Sequence, residues 1–132
     1  MDWNKKLIED AQNGNIEGIK EALKNGADIH FEGDGALRWA AANGHTDTVK
    51  LLLAHGAYIH AEDDVTLRLA AKEGHTEVVK LLLDNGANIH ANKDEALRWA
   101  AANGNTDTVK LLLAHGADVH DKDDAALRMA AR

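Results

Sequence analysis

Apolar positions recur along this chain in a fixed register. In the stretch Thr46-Asp47-Thr48-Val49-Lys50-Leu51-Leu52-Leu53, Val49, Leu52 and Leu53 stand at i, i+3 and i+4, with Leu51 beside them. This spacing predicts a short helix with one broad apolar face. Ahead of it, Ala36-Leu37-Arg38-Trp39-Ala40-Ala41-Ala42 is rich in helix formers and predicts a first helix. Gly44, Gly74 and Gly104 fall where that helix must stop, and Gly56, Gly86 and Gly116 where the second one must. A loop follows with a single apolar residue, Ile59, Ile89 or Val119. Asp34, Asp64, Asp94 and Asp124 precede the first helix and are expected to cap its free N–H groups; Thr46, Thr76 and Thr106 are expected to cap the second.

The unit of helix, turn, helix and loop repeats every thirty residues without a gap, leaving twelve residues at the end. Rows 31–60 and 91–120 agree at 23 of 30 positions. Row 61–90 keeps the frame, and row 1–30 keeps it in its second half. Each helix is about nine residues long, below the roughly 12–15 at which an isolated helix is even marginal. Stability must therefore come from stacking unit on unit.

The segment Gly44-His45-Thr46-Asp47-Thr48-Val49-Lys50-Leu51-Leu52-Leu53-Ala54-His55-Gly56-Ala57, recurring from Gly74 and from Gly104, resembles the second helix of an ankyrin repeat. The resemblance implies an all-α solenoid of paired antiparallel helices. Short loops would project from one edge, and the inner helices and loops would form a concave face that binds partners. The departures are regular. An ankyrin unit is about 33 residues, and these are 30. The family's Thr-Pro-Leu-His reads Gly35-Ala36-Leu37-Arg38 here, with arginine in place of histidine in every row. The three missing residues shorten the projecting finger, so that it is not expected to form a proper β-hairpin. In this the chain is similar to a 30-residue ankyrin variety of large viral and microbial arrays. The expected organisation is one array over 1–132: a capping unit at 1–30, internal units at 31–60, 61–90 and 91–120, and a partial unit at 121–132.

Composition narrows the chemistry. The chain has no cysteine and no proline, and a net charge of −7. It is expected to be cytoplasmic and to bind neither nucleic acid nor membrane. No stretch approaches the roughly 18–20 apolar residues of a membrane span, and the N-terminus lacks the apolar run of a secretory signal. Neither serine nor cysteine is present to act as an acyl-transfer nucleophile, and no phosphate-binding glycine loop appears. No enzymatic activity, catalytic residue, cofactor or metal site is expected. The histidines His30, His60, His90 and His120 recur once per unit, and stacked units are roughly 8–10 Å apart. Zinc nitrogens lie about 2.0–2.1 Å from the metal, so one histidine per unit cannot converge on one ion.

Residues present in every row are expected to serve the scaffold, and residues that vary to serve recognition. Arg38, Arg68, Arg98 and Arg128 belong to the first group; Asp34 and Arg38 have the i, i+4 spacing of a helical ion pair. Trp39 and Trp99 are expected in the core, packed between helices. The variable positions give the expected partner-binding set: Phe31, Glu32, Ala42, Asn43, Tyr58, Glu62, Asp63, Lys72, Glu73, Asn92, Lys93, Ala102 and Asn103. Most of the loops are acidic, which favours a basic partner surface. The first row reads as a polar-sided cap, with Trp3, Leu7, Ile8 and Ala11 on one stripe. Residues 121–132 supply one helix with no second helix to cover it. That end is expected either to stay open in a monomer or to be covered by a second copy in a homodimer. The function expected is a protein-interaction module or scaffold; the alternative is a designed or consensus-like structural array with no native partner.

Overall fold

The structure, a computed structural model, describes residues 1–117. Eight helices run in chain order: α1 (Trp3–Asn13), α2 (Ile16–Lys24), α3 (Phe31–Ala42), α4 (Thr46–Ala54), α5 (Ala61–Lys72), α6 (Thr76–Asp84), α7 (Ala91–Ala102) and α8 (Thr106–Ala114). No strand occurs among the described residues. The architecture is the all-α repeat solenoid that the thirty-residue register predicts. The expected partial unit at 121–132, its open face and the homodimer built on it lie outside the described residues.

The helices form two layers. α1, α3, α5 and α7 stack on one another in order, and α2, α4, α6 and α8 form the second row. The first row is packed much more closely than the second. Two rows with equal numbers of helices but unequal spacing curve toward the tighter one, which puts the odd-numbered helices on the inside.

The core is a ladder with the period of the sequence. Leu7, Leu37, Leu67 and Leu97 stand one above another on the inner helices, and Leu52, Leu82 and Leu112 on the outer ones; all are buried. Each buried leucine contributes about 1.5–3 kcal/mol. Ala40, Ala41, Ala70, Ala71, Ala100 and Ala101 are buried between inner helices, and their small side chains permit the close approach. The N-terminal unit has the expected stripe, with Leu7 and Ala11 buried and Trp3 and Ile8 packed against the core. Asp2 and Asn15 cap α1 and α2, each accepting from a backbone N–H at 3.1 Å, that of Lys5 and of Gly18.

The later caps differ from expectation. Thr46, Thr76 and Thr106 are the first helical residues, and His45, His75 and Asn105 hold the N-cap position without a side-chain cap bond. Those side chains reach back to the preceding unit instead. His45 Nε2 bonds the Gln12 carbonyl at 2.9 Å, and Asn105 Nδ2 bonds the Lys72 carbonyl at 2.9 Å. The glycine opposite makes room: a Cβ at Gly44 (φ +76°) would lie 2.6 Å from the His75 ring. Thr76 and Thr108 hydroxyls meet across units at 2.8 Å.

The shortened finger is a single left-handed turn at the start of α3, α5 and α7. Glu32, Gly33 and Asp34 have φ of 56°, 62° and 59°, and 62–64 and 92–94 repeat the conformation. A left-handed turn crowds Cβ against the following carbonyl and costs roughly 1–2 kcal/mol per non-glycine residue. Two repeated side chains hold it. Asp34 lies inside the turn, so its carboxylate does not cap the helix it precedes. It is buried and accepts from the His30 ring at 3.0 Å and from the Tyr58 backbone N–H at 2.7 Å. Asp64 accepts from His60 at 2.9 Å and from the Asn88 N–H at 2.7 Å. Arg38 is not paired with Asp34 as its spacing suggested; Nη2 donates to the Glu32 carbonyl at 2.7 Å. Arg68 donates to the carbonyls of Glu62 and Asp63, and Arg98 to those of Asn92 and Lys93. The turn leaves those carbonyls free, and a guanidinium fork satisfies two at once.

Candidate interaction surface

The solvent-facing side of the inner helices carries three positions at which the units differ, beside others in the turns and on the outer helices. Position by position it reads Trp39, Leu69, Trp99, then Ala42, Lys72, Ala102, then Asn43, Glu73, Asn103. The tryptophans are not core residues. Trp39 is 44 % exposed, and Trp99 is half-buried. The reason lies in the helix period: Leu37, Ala40 and Ala41 form the buried stripe at i, i+3 and i+4, and Trp39 falls off it. That spacing was readable in the sequence.

Arg38, Trp39, Ala42, Asn43, Leu69 and Glu73 line a depression of about 460 Å³ between α3 and α5. Ala42, Asn43 and Glu73 of the expected binding set therefore meet here, joined by Trp39 and Leu69, which that set omitted. A second depression, of about 450 Å³, lies between Ile8, Phe31 and Glu32, with Asp2, Lys5, Glu9 and Gln12 at its sides. Phe31 is half-buried there and Glu32 exposed. Neither depression includes Tyr58, Lys72, Asn92, Lys93, Ala102 or Asn103.

Several expected residues are committed within the fold. Asn43 Nδ2 donates to the Gln12 carbonyl at 3.0 Å, and Asn103 Nδ2 to the Lys72 carbonyl at 2.8 Å. Each ties the end of one inner helix to the one before it. Lys72 Nζ sits 5.2 Å from the centre of the Trp99 ring, a cation–π contact. Asn92 Nδ2 donates to Glu95 at 2.7 Å. Glu95 is buried and also receives Arg68 at 2.6 Å. Tyr58 is 54 % exposed in the loop before α5, with its ring edge-on to His60 at 5.6 Å.

The charge at the rim is mainly acidic. Glu62, Asp63 and Glu73 are exposed, and Arg38 Nη1 lies 3.9 Å from Glu62. Lys93 is exposed on the neighbouring turn. Away from this face, Lys6 donates to Asp10 at 2.8 Å, and that bond holds its ammonium above the ordinary lysine value. Among the described residues no cluster of three or more histidine or acidic side chains is arranged to hold a metal ion. No helix among them is long and apolar enough to cross a membrane.

A stacked array of helix pairs with a thirty-residue period defines a helical repeat protein. Residues 7–93 and 61–123 match the family model described as ankyrin repeats, in three copies. The chain belongs to the ankyrin repeat family. Ankyrin repeats are in general protein–protein interaction modules and in general non-catalytic. Among curated proteins, none matches the chain.

Proposed function

We propose that this protein binds another protein on the inner-helix face and its adjoining turns, and that it does so as a rigid scaffold without catalysis. The observation that carries this reading is the exposure of Trp39. A large apolar ring is left partly in solvent on a face where the units differ, beside Leu69 and in the register that the half-buried Trp99 repeats two units on. Exposed aromatics within a polar rim are the residues that anchor interfaces. The acidic rim of Glu32, Glu62, Asp63 and Glu73 supports a partner with a basic surface.

Site-specific photocrosslinking tests the reading. A photoreactive residue placed at 42 or 102 samples the inner face; one placed at exposed Lys50 or Lys80 samples the outer helices. In cell extract, the same partner should crosslink from both inner positions and from neither outer one. A partner captured equally from both faces, or one retained by Ala42→Arg and Ala102→Arg together, would overturn it.

A further inference from the structure

We propose that the depression beside Trp39 receives one cationic side chain, lysine or arginine, from the partner. This rests on the interaction face proposed above and gives it a chemical specificity.

The other tryptophan of this register already holds a cation, on its side toward the preceding unit. Lys72 stands 27 residues before Trp99 and lays its ammonium over that ring at 5.2 Å. The residue in the same relation to Trp39 is Gln12. Glutamine is neutral, and its backbone carbonyl already receives Asn43 and His45. The Trp39 ring thus has no cation on its α1 side, and on its α5 side it opens onto the depression. The two rings occupy the same position of their helices, and the one without a lysine is the more exposed.

Glu73 supplies the opposite charge. It stands where the units on either side carry Asn43 and Asn103, whose amides tie successive inner helices together. A carboxylate has no proton to donate, so Glu73 forgoes that bond. It also places a negative charge at the C-terminal end of α5, where the helix dipole disfavours one. The scaffold gains nothing from this substitution, and such a local departure points to a role in recognition. The carboxylate is exposed and has no ion pair among the described residues.

The remaining lining residues complete the fit. Leu69 offers an apolar wall for an aliphatic stem. Arg38, the cation of the wall, turns its outer nitrogens to the acidic turns: Nη2 donates to the Glu32 carbonyl and Nη1 lies 3.9 Å from Glu62, while its buried Nε has no hydrogen-bond partner. A lysine or arginine entering here stacks its charge on the Trp39 face, rests its stem on Leu69 and meets Glu73. Cation–π pairing and a carboxylate together select a cation over a neutral chain of equal length.

Nuclear magnetic resonance on the full chain tests this. The indole N–H signals of Trp3, Trp39 and Trp99 are followed during titration with N-acetyl-lysinamide and N-acetyl-argininamide. N-acetyl-norleucinamide serves as the neutral probe. Saturable shifts at Trp39 with either cation are expected, with Trp99 little changed. The neutral probe should bind roughly fivefold more weakly, and Glu73→Gln should reduce cation binding by about the same factor. A silent Trp39 signal, an equal response to norleucinamide, or an unaffected E73Q overturns the proposal. That failure leaves the interaction face standing, because the face is decided separately by the crosslinks from positions 42 and 102.

Discussion

The carboxylate of Asp34 receives the backbone N–H of Tyr58 at 2.7 Å, from the loop that closes its own unit and leads into the next. Asp64 does the same for Asn88, also 24 residues ahead. A buried carboxylate inside one left-handed turn thus holds the loop from which the next unit starts. The His30 or His60 ring on its other side supplies a second donor. Adjacent units are joined by apolar stacking, and this directed bond holds the loop that leads from one to the next.

Removing the latch should uncouple neighbours. Asp64→Ala leaves the Asn88 N–H and the His60 ring without their acceptor and is expected to cost about 1–3 kcal/mol. Asp64→Asn keeps one acceptor oxygen and should recover part of that loss. Urea unfolding of the three proteins checks the order, and equal stability of Asp64→Ala and the parent would refute it.

The left-handed turn makes its middle residue a test of backbone strain. Gly33 has φ 62°, while Asp63 at the same position has φ 57° and carries a side chain. Gly33→Ala is expected to destabilise by roughly 1 kcal/mol, and Asp63→Gly to stabilise by up to about the same amount. Thermal melts should move in opposite directions. A shared direction would mean that the turn does not have this conformation.

Glu95 links two units through Arg68, at 2.6 Å, with both side chains only about a tenth exposed. Glu95→Val copies Val65 of the preceding unit and removes the acceptor. Arg68 keeps its carbonyl bonds at Glu62 and Asp63, so the expected loss is about 1–2 kcal/mol rather than the full penalty of an isolated buried charge. Denaturant midpoints at low and high salt measure it, and no change in either would show the pair to be neutral.

Thr66 is fully buried where Ala36 and Ala96 stand in the adjacent units, and its hydroxyl has no hydrogen-bond partner. Thr66→Val keeps the shape and removes the unpaired group. A gain of roughly 1 kcal/mol is expected. Destabilisation on calorimetry would show that the hydroxyl is bonded after all.

Glu73→Asn joins stability to recognition. It restores the amide that Asn43 and Asn103 use to tie inner helices. Stability should rise by about 0.5–1.5 kcal/mol while cation binding at Trp39 falls. A variant that loses stability would remove the reason for regarding Glu73 as a residue retained for binding.

The thirty-residue register of leucine, valine, alanine and glycine determined the fold class, the helix pairs and the core ladder. These depend on periodicity and on backbone freedom, which are local properties of a chain. The register also indicated that the face where units vary would be the informative one. It did not reveal where the repeated polar side chains go. Asp34 reads as a helix cap and Arg38 as its ion-pair partner when only neighbours along the chain are considered. Their bonds run instead to the Tyr58 N–H and to carbonyls of a left-handed turn. The turn conformation and the seating of the next unit decide that, and both arise only on stacking. Trp39 is the same case in reverse. Its residue type suggests burial, but curvature and helix phase leave it on the inner face, while the lysine that covers Trp99 has no counterpart beside it. Sequence periodicity sets which residues face inward. Tertiary packing alone decides which polar groups find one another across the stack, and which aromatic ring is left exposed.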